Sequence, residues 1–223
     1  MEEYLRELRK EFEAHRNEEY AKQQSAYMRY KFIFFGFNST LRREIAKPFL
    51  DKNYLPDKAE FHPIIQALWE MPQRDYQMFA LDFMKRYVRK IEESDMEIFE
   101  YTITHKSWWD TVDFIAATML GAYFKKFPEL RQQYVDKWLS SGDIWLQRSA
   151  LLFQLKYKEE FDTSLLTYTI KPLLGSKEFF INKAIGWMLR QYGKSNPDWV
   201  INYVKETPEL ANLSKREALK HLG

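Results

Sequence analysis

The chain contains no cysteine, and only 7 glycines and 8 prolines occur among its 223 residues. Without cysteine, neither a disulfide framework nor a thiolate zinc site is possible, and a reducing cytoplasm is the expected compartment. The scarcity of glycine and proline, set beside 17% aromatic residues, argues against disorder and against a turn-rich β-sandwich. No run of about eighteen apolar residues occurs, so no membrane span is expected. The acidic, amphipathic start Met1-Glu2-Glu3-Tyr4-Leu5-Arg6 lacks the basic-then-apolar layout of a signal peptide. Charge of one sign is also in short supply: the formal net charge of +2 falls below the strongly basic balance common in nucleic-acid-binding domains. The four histidines, His15, His62, His105 and His221, form no H-x-x-x-H pair, so no metal site and no cofactor are expected. Leu174-Gly175-Ser176-Lys177 lacks the spacing of a phosphate loop and reads as a helix C-terminus, and no G-x-S-x-G elbow occurs.

What is abundant is helix-forming sequence: Lys, Arg, Glu, Leu and Ala in long stretches free of Gly and Pro. Within it lies a repeat. Ala46, Ala80, Ala116, Ala150, Ala184 and Ala218 are separated by 34, 36, 34, 34 and 34 residues. Three residues after the first five stand Phe49, Phe83, Met119, Phe153 and Trp187. A small residue followed by a large one on the same helical face makes a packing layer between stacked helices, and on spacing alone Trp187 belongs to that core. A second helix set is expected between them, over 57–69, 95–105, 128–139, 162–174 and 197–205, several opening with Pro or Asp. Phe61, Ile64, Ile65 and Leu68 give the i, i+3, i+4, i+7 pattern. The chain therefore reads as all-α: an α-solenoid of stacked antiparallel helix pairs, about six pairs forming one domain over 1–223. A monomer is expected of a capped repeat stack.

The segment Lys106-Ser-Trp-Trp-Asp-Thr-Val-Asp113 places Trp109 and Asp113 four residues apart, on one face of a helix. A carboxylate beside an indole suits the stabilisation of a positively charged, sugar-like species. The bland alternative is a capping Asp and a core-facing Trp. Lys183, Trp187 and Arg190 form a basic-aromatic-basic stripe at i, i+4, i+7, a pattern fit for phosphates and rings, although packing explains Trp187 equally. Charge is unevenly spread as well: residues 21–50 carry six bases, Lys22, Arg29, Lys31, Arg42, Arg43 and Lys47, against Glu44 alone. A local basic patch and a solvated helix face both account for this.

Four stretches carry a resemblance: Lys106–Asp113, Ile144-Trp-Leu-Gln-Arg148, Ser176–Trp187 and Leu213–Ala218. In them the sequence resembles the AlkD family of bacterial DNA glycosylases, built from HEAT-like repeats and acting on alkylated purines, over nearly its full length. The resemblance implies a catalytic cluster of Trp109, Asp113 and Trp187, with Arg148 beside it on the DNA-facing surface and Tyr27 nearby. It further implies that Arg43 and Arg190 contact the DNA backbone, and Lys183 shares the stripe with Arg190. The partner it implies is duplex DNA carrying cationic N3- or N7-alkylated purines, with Asp113 stabilising the oxocarbenium-like sugar and no cofactor. Two rival readings are a helical-repeat protein that binds damaged or branched DNA without cutting, and a peptide-binding scaffold.

Overall fold

A computed structural model describes residues 1–221 of the chain. The fold is a helical repeat, and among the described residues no β-strand forms beyond a single bridge between Ile33 and Gln73. In chain order the helices are α1 (Glu2–Ala14), α2 (Glu18–Tyr27), α3 (Ser39–Ala46), α4 (Phe61–Glu70), α5 (Arg74–Arg86), α6 (Asp95–Thr104) and α7 (Trp109–Phe114). They continue with α8 (Gly121–Lys126), α9 (Arg131–Ser140), α10 (Ile144–Leu152), α11 (Thr163–Ile170), α12 (Phe179–Gly193), α13 (Pro197–Glu206) and α14 (Asn212–Ala218). A π-helical stretch, Ile115–Leu120, joins α7 to α8 without a loop. The chain divides into two compact units, Met1–Ile98 and a second beginning at Phe99.

The first unit is built around an aromatic cluster. In α1, Tyr4, Leu8 and Phe12 repeat every fourth residue and are buried. Phe12 packs on Tyr76 of α5 at 5.3 Å between ring centroids and on Phe35 at 5.7 Å. Phe35 belongs to the irregular chain between α2 and α3, and its backbone groups are held at both ends. Its carbonyl accepts from Asn17 N at 2.9 Å, and its N–H donates to Asp75 Oδ2 at 2.7 Å. Gly36 follows at φ +96°, and a Cβ there would stand 1.9 Å from the Asn17 carbonyl oxygen, so only glycine fits.

The alanine repeat is the packing layer that its spacing predicts. Ala46, Ala80, Ala116, Ala150, Ala184 and Ala218 are all buried. The intervening helices also stand where the pattern predicts, three of them lengthened or closed by 3-10 turns: Lys58–Glu60 before α4, Pro128–Leu130 before α9 and Lys171–Leu173 after α11. Phe49, Phe83, Met119 and Phe153 are buried with the alanines. Trp187 is not: it is half-buried, which corrects its placement in the core on spacing alone. The buried stripe of α12 runs through Ile181, Ala184, Ile185, Met188 and Leu189, and Trp187 lies off it with Lys183 and Arg190.

Candidate active site

In the second unit three helices meet through one arginine. Asp143 caps the start of α10, accepting from Trp145 N at 2.7 Å and Leu146 N at 3.0 Å, and so fixes where that helix begins. Arg148, one turn in, is almost wholly buried. Its Nε donates to Asp113 Oδ1 at 2.6 Å and its Nη2 to Asp113 Oδ2 at 2.8 Å, a two-point pair across to α7. Its Nη1 donates to the Phe180 carbonyl at the start of α12. One guanidinium thus joins α7, α10 and α12. A buried arginine is tolerated because its planar donors find fixed acceptors on both sides.

Burial pushes the Asp113 carboxyl above its ordinary value; the hydrogen bonds and charge of Arg148 oppose that rise, and Asp110 adds to it. The Asp113 side chain keeps 18% exposure while that of Arg148 keeps 4%, so the carboxylate is the member of the pair that a ligand reaches. Two-point pairing with Arg148 leaves the carboxylate further lone pairs for another donor.

Trp109 opens α7 one turn before Asp113 and is half-buried. Its neighbour Trp108 sits in extended backbone at the helix N-cap and turns into an aromatic group with Trp145 at 5.7 Å and Phe180 at 5.0 Å. Trp145 and Phe180 close that group at 4.9 Å. Phe180 and Trp187 lie seven residues apart on one face of α12, with Lys183 between them and Arg190 beyond.

The repeat frame sets Asp113 between two capping amides. Three residues before the alanine, Gln77 donates to the carbonyls of Leu68, Trp69 and Met71, and Gln147 donates to that of Leu139. In both repeats the amide closes the end of the preceding helix. Asp113 occupies this position in the repeat between them, and an ionised carboxylate has no proton to give a carbonyl. Aligned on the six alanines, this position reads Arg43, Gln77, Asp113, Gln147, Ile181 and Lys215, so the capping amide belongs to the two repeats that flank Asp113.

The basic stripe is held from α14. Lys183 Nζ lies 2.7 Å from Glu217 Oε1, and Arg190 Nη1 lies 2.7 Å from Glu217 Oε2. Glu217 is nine-tenths buried, and its carboxyl is held below the usual range, first by the Lys183 hydrogen bond, with burial opposing. Sequence reasoning missed Glu217 because its partners lie 27 or more residues earlier in the chain. The other site candidates are in the first unit. Tyr27 ends α2 and is 73% exposed; Arg43 is exposed on α3, its Nε donating to the Ser39 carbonyl at 2.8 Å.

Fold and site together define an all-α helical-repeat protein whose second unit presents a carboxylate among tryptophans and bases. The chain matches the model of the DNA alkylation repair enzyme family over residues 8–222, and it belongs to that family. It is similar to a solved structure, a predicted DNA alkylation repair enzyme from Enterococcus faecalis. The two are 32% identical with a TM-score of 0.86, over 94% of this chain and 97% of that one. No curated protein matches the chain.

Proposed function

We propose that this protein is a DNA glycosylase that removes cationic N3- and N7-alkylated purines from duplex DNA by hydrolysing the N-glycosidic bond. The observation that carries this reading is Asp113: a partly exposed carboxylate fixed in orientation by Arg148. Family membership supports DNA as the substrate.

The chemistry follows from the charge on the lesion. As the C1′–N bond of an alkylated purine breaks, its electron pair passes to the ring and neutralises the positive charge there. The deoxyribose is left oxocarbenium-like, and a carboxylate aimed at it stabilises that charge. Water supplies the oxygen that bonds to C1′ and gives up a proton. The burial that raises the proton affinity of Asp113 suits it to receive that proton. Trp109 and Trp187 pack against the sugar, exclude bulk water and attract the developing cation. A base that leaves as a neutral molecule needs little acid catalysis. Arg148 orients Asp113, while Arg43, Arg190, Lys183 and Tyr27 contact the DNA and supply salt-dependent affinity.

The test is the release of 7-methylguanine and 3-methyladenine from methylated duplex DNA, with abasic sites counted in the same strands. Free alkylpurine matched by abasic sites supports the reading; intact lesions under excess protein overturn it. The two-point hold of Arg148 on Asp113 favours one second reading, a protein that binds damaged DNA and leaves the base in place. The same assay registers that as binding without release.

A further inference from the structure

Four cations of the first unit converge on one hollow. It measures about 490 Å³ and is lined by Arg43 and Lys47 at the end of α3, Lys85 and Arg86 at the end of α5, and the carboxylates Asp51 and Asp82. All four bases are exposed, and among the described residues none of them makes an ion pair. Arg43 is oriented by its bond to the Ser39 carbonyl. Of the acids in the wall, Asp82 is taken by an arginine, its Oδ2 holding Arg42 Nη1 at 2.6 Å, while Asp51 Oδ1 accepts only the neutral Asn53 N–H at 2.9 Å and keeps its charge. The partial negative charge of a helix C-terminus favours a base there, which accounts for Lys85 or Arg86 taken singly. It does not account for four cations from two helices facing the same space with the single carboxylate of Asp51 left to offset them, a net positive charge that an anion would relieve.

We propose that this hollow is a phosphate cradle that holds the backbone of duplex DNA, with Lys47, Lys85 and Arg86 joining Arg43 as phosphate contacts. The proposal rests on DNA being the substrate, and extends that reading to three residues of the first unit. Arginine's fork matches phosphate oxygens at two points, and lysine adds a compact charge. These contacts position the duplex without reading its sequence. They carry affinity and have no part in breaking the glycosidic bond.

The test compares Lys85→Gln/Arg86→Gln with the charge-keeping Lys85→Arg/Arg86→Lys and with Lys10→Gln/Lys205→Gln, which removes the same charge from exposed positions elsewhere. Binding of undamaged duplex DNA is measured across a salt series. The cradle variant is expected to bind more weakly and to flatten the log–log salt slope by about one per lost contact, roughly two in all. The charge-keeping variant should track the wild type. A cradle variant that binds like the distant control overturns the cradle while leaving DNA as substrate. A wild type with no measurable affinity for DNA overturns both.

Discussion

At the scale of single residues, burial raises two carboxyls, one partly exposed and one enclosed, and they give separable pH signatures. The Asp113 carboxyl is raised by burial and partly restrained by Arg148. Arg148→Met removes the restraint, so a smaller fraction of Asp113 is ionised at any given pH. The acid limb of the pH profile for base release should therefore move to higher pH, measured under single turnover; an unmoved limb would show that ionised Asp113 does not limit the reaction. Asp75, in the first unit, makes no ion pair among the described residues, and burial raises its carboxyl from 3.8 to about 6 against the Phe35 N–H, its own N–H and the charge of Arg42. The folded state then binds the proton more tightly than the unfolded chain. This contribution to stability is fully present below about pH 4 and is lost as pH rises through about 6, amounting to roughly 3 kcal/mol. Asp75→Asn keeps an acceptor for the Phe35 N–H and does not ionise. Its stability relative to wild type should rise between pH 4 and pH 7 by an amount of that order. Urea unfolding across the range checks this, and parallel curves for the two proteins would refute it.

At the scale of elements, the clasp between α12 and α14 sets the position of the basic stripe. A methyl group at Gly186 would stand 2.5 Å from Glu217 Cβ and 2.8 Å from the Ser214 carbonyl oxygen, so α14 approaches closely only because that position is glycine. The approach is what lets Glu217 reach both Lys183 and Arg190, while Ser214 Oγ donates to the Asn182 carbonyl at 2.8 Å. Gly186→Ala should destabilise the protein by about 1–3 kcal/mol, the usual range for overpacking. Once α14 has been displaced, Glu217→Gln has less left to remove, so the two losses should fall short of adding in a double-mutant cycle. Strict additivity in denaturant unfolding would mean that the close approach and the ion pairs are independent. The π-helical stretch Ile115–Leu120 is a second feature of this scale, because it directly follows the helix that carries Trp109 and Asp113. Such stretches occur often at functional sites.

At the scale of the whole chain, the fold was open to reading because its period is built from residue size. An alanine with a bulky residue three positions on needs no knowledge of distant partners, and the six alanines are buried as that rule requires. The rule failed at Trp187, where the stripe of α12 turns away from the position that Phe83 and Phe153 fill elsewhere. The placement of Trp109 and Asp113 one turn apart on a helix was likewise local and legible. Arg148's hold on Asp113 and Glu217's hold on two cations were not, since each joins helices some 30 residues apart and sequence spacing carries no record of which charges meet. Asp113 is also the point on which the functional account stands. The most direct test is single-turnover release of 7-methylguanine by wild type and by Asp113→Asn, with the affinity of each for the same duplex measured alongside. Asparagine keeps an acceptor for Arg148 but loses the charge. The account predicts a fall in release of at least about a hundredfold, the scale of losing one electrostatic contact to a transition state, with affinity little changed. Equal release by the two proteins would contradict it.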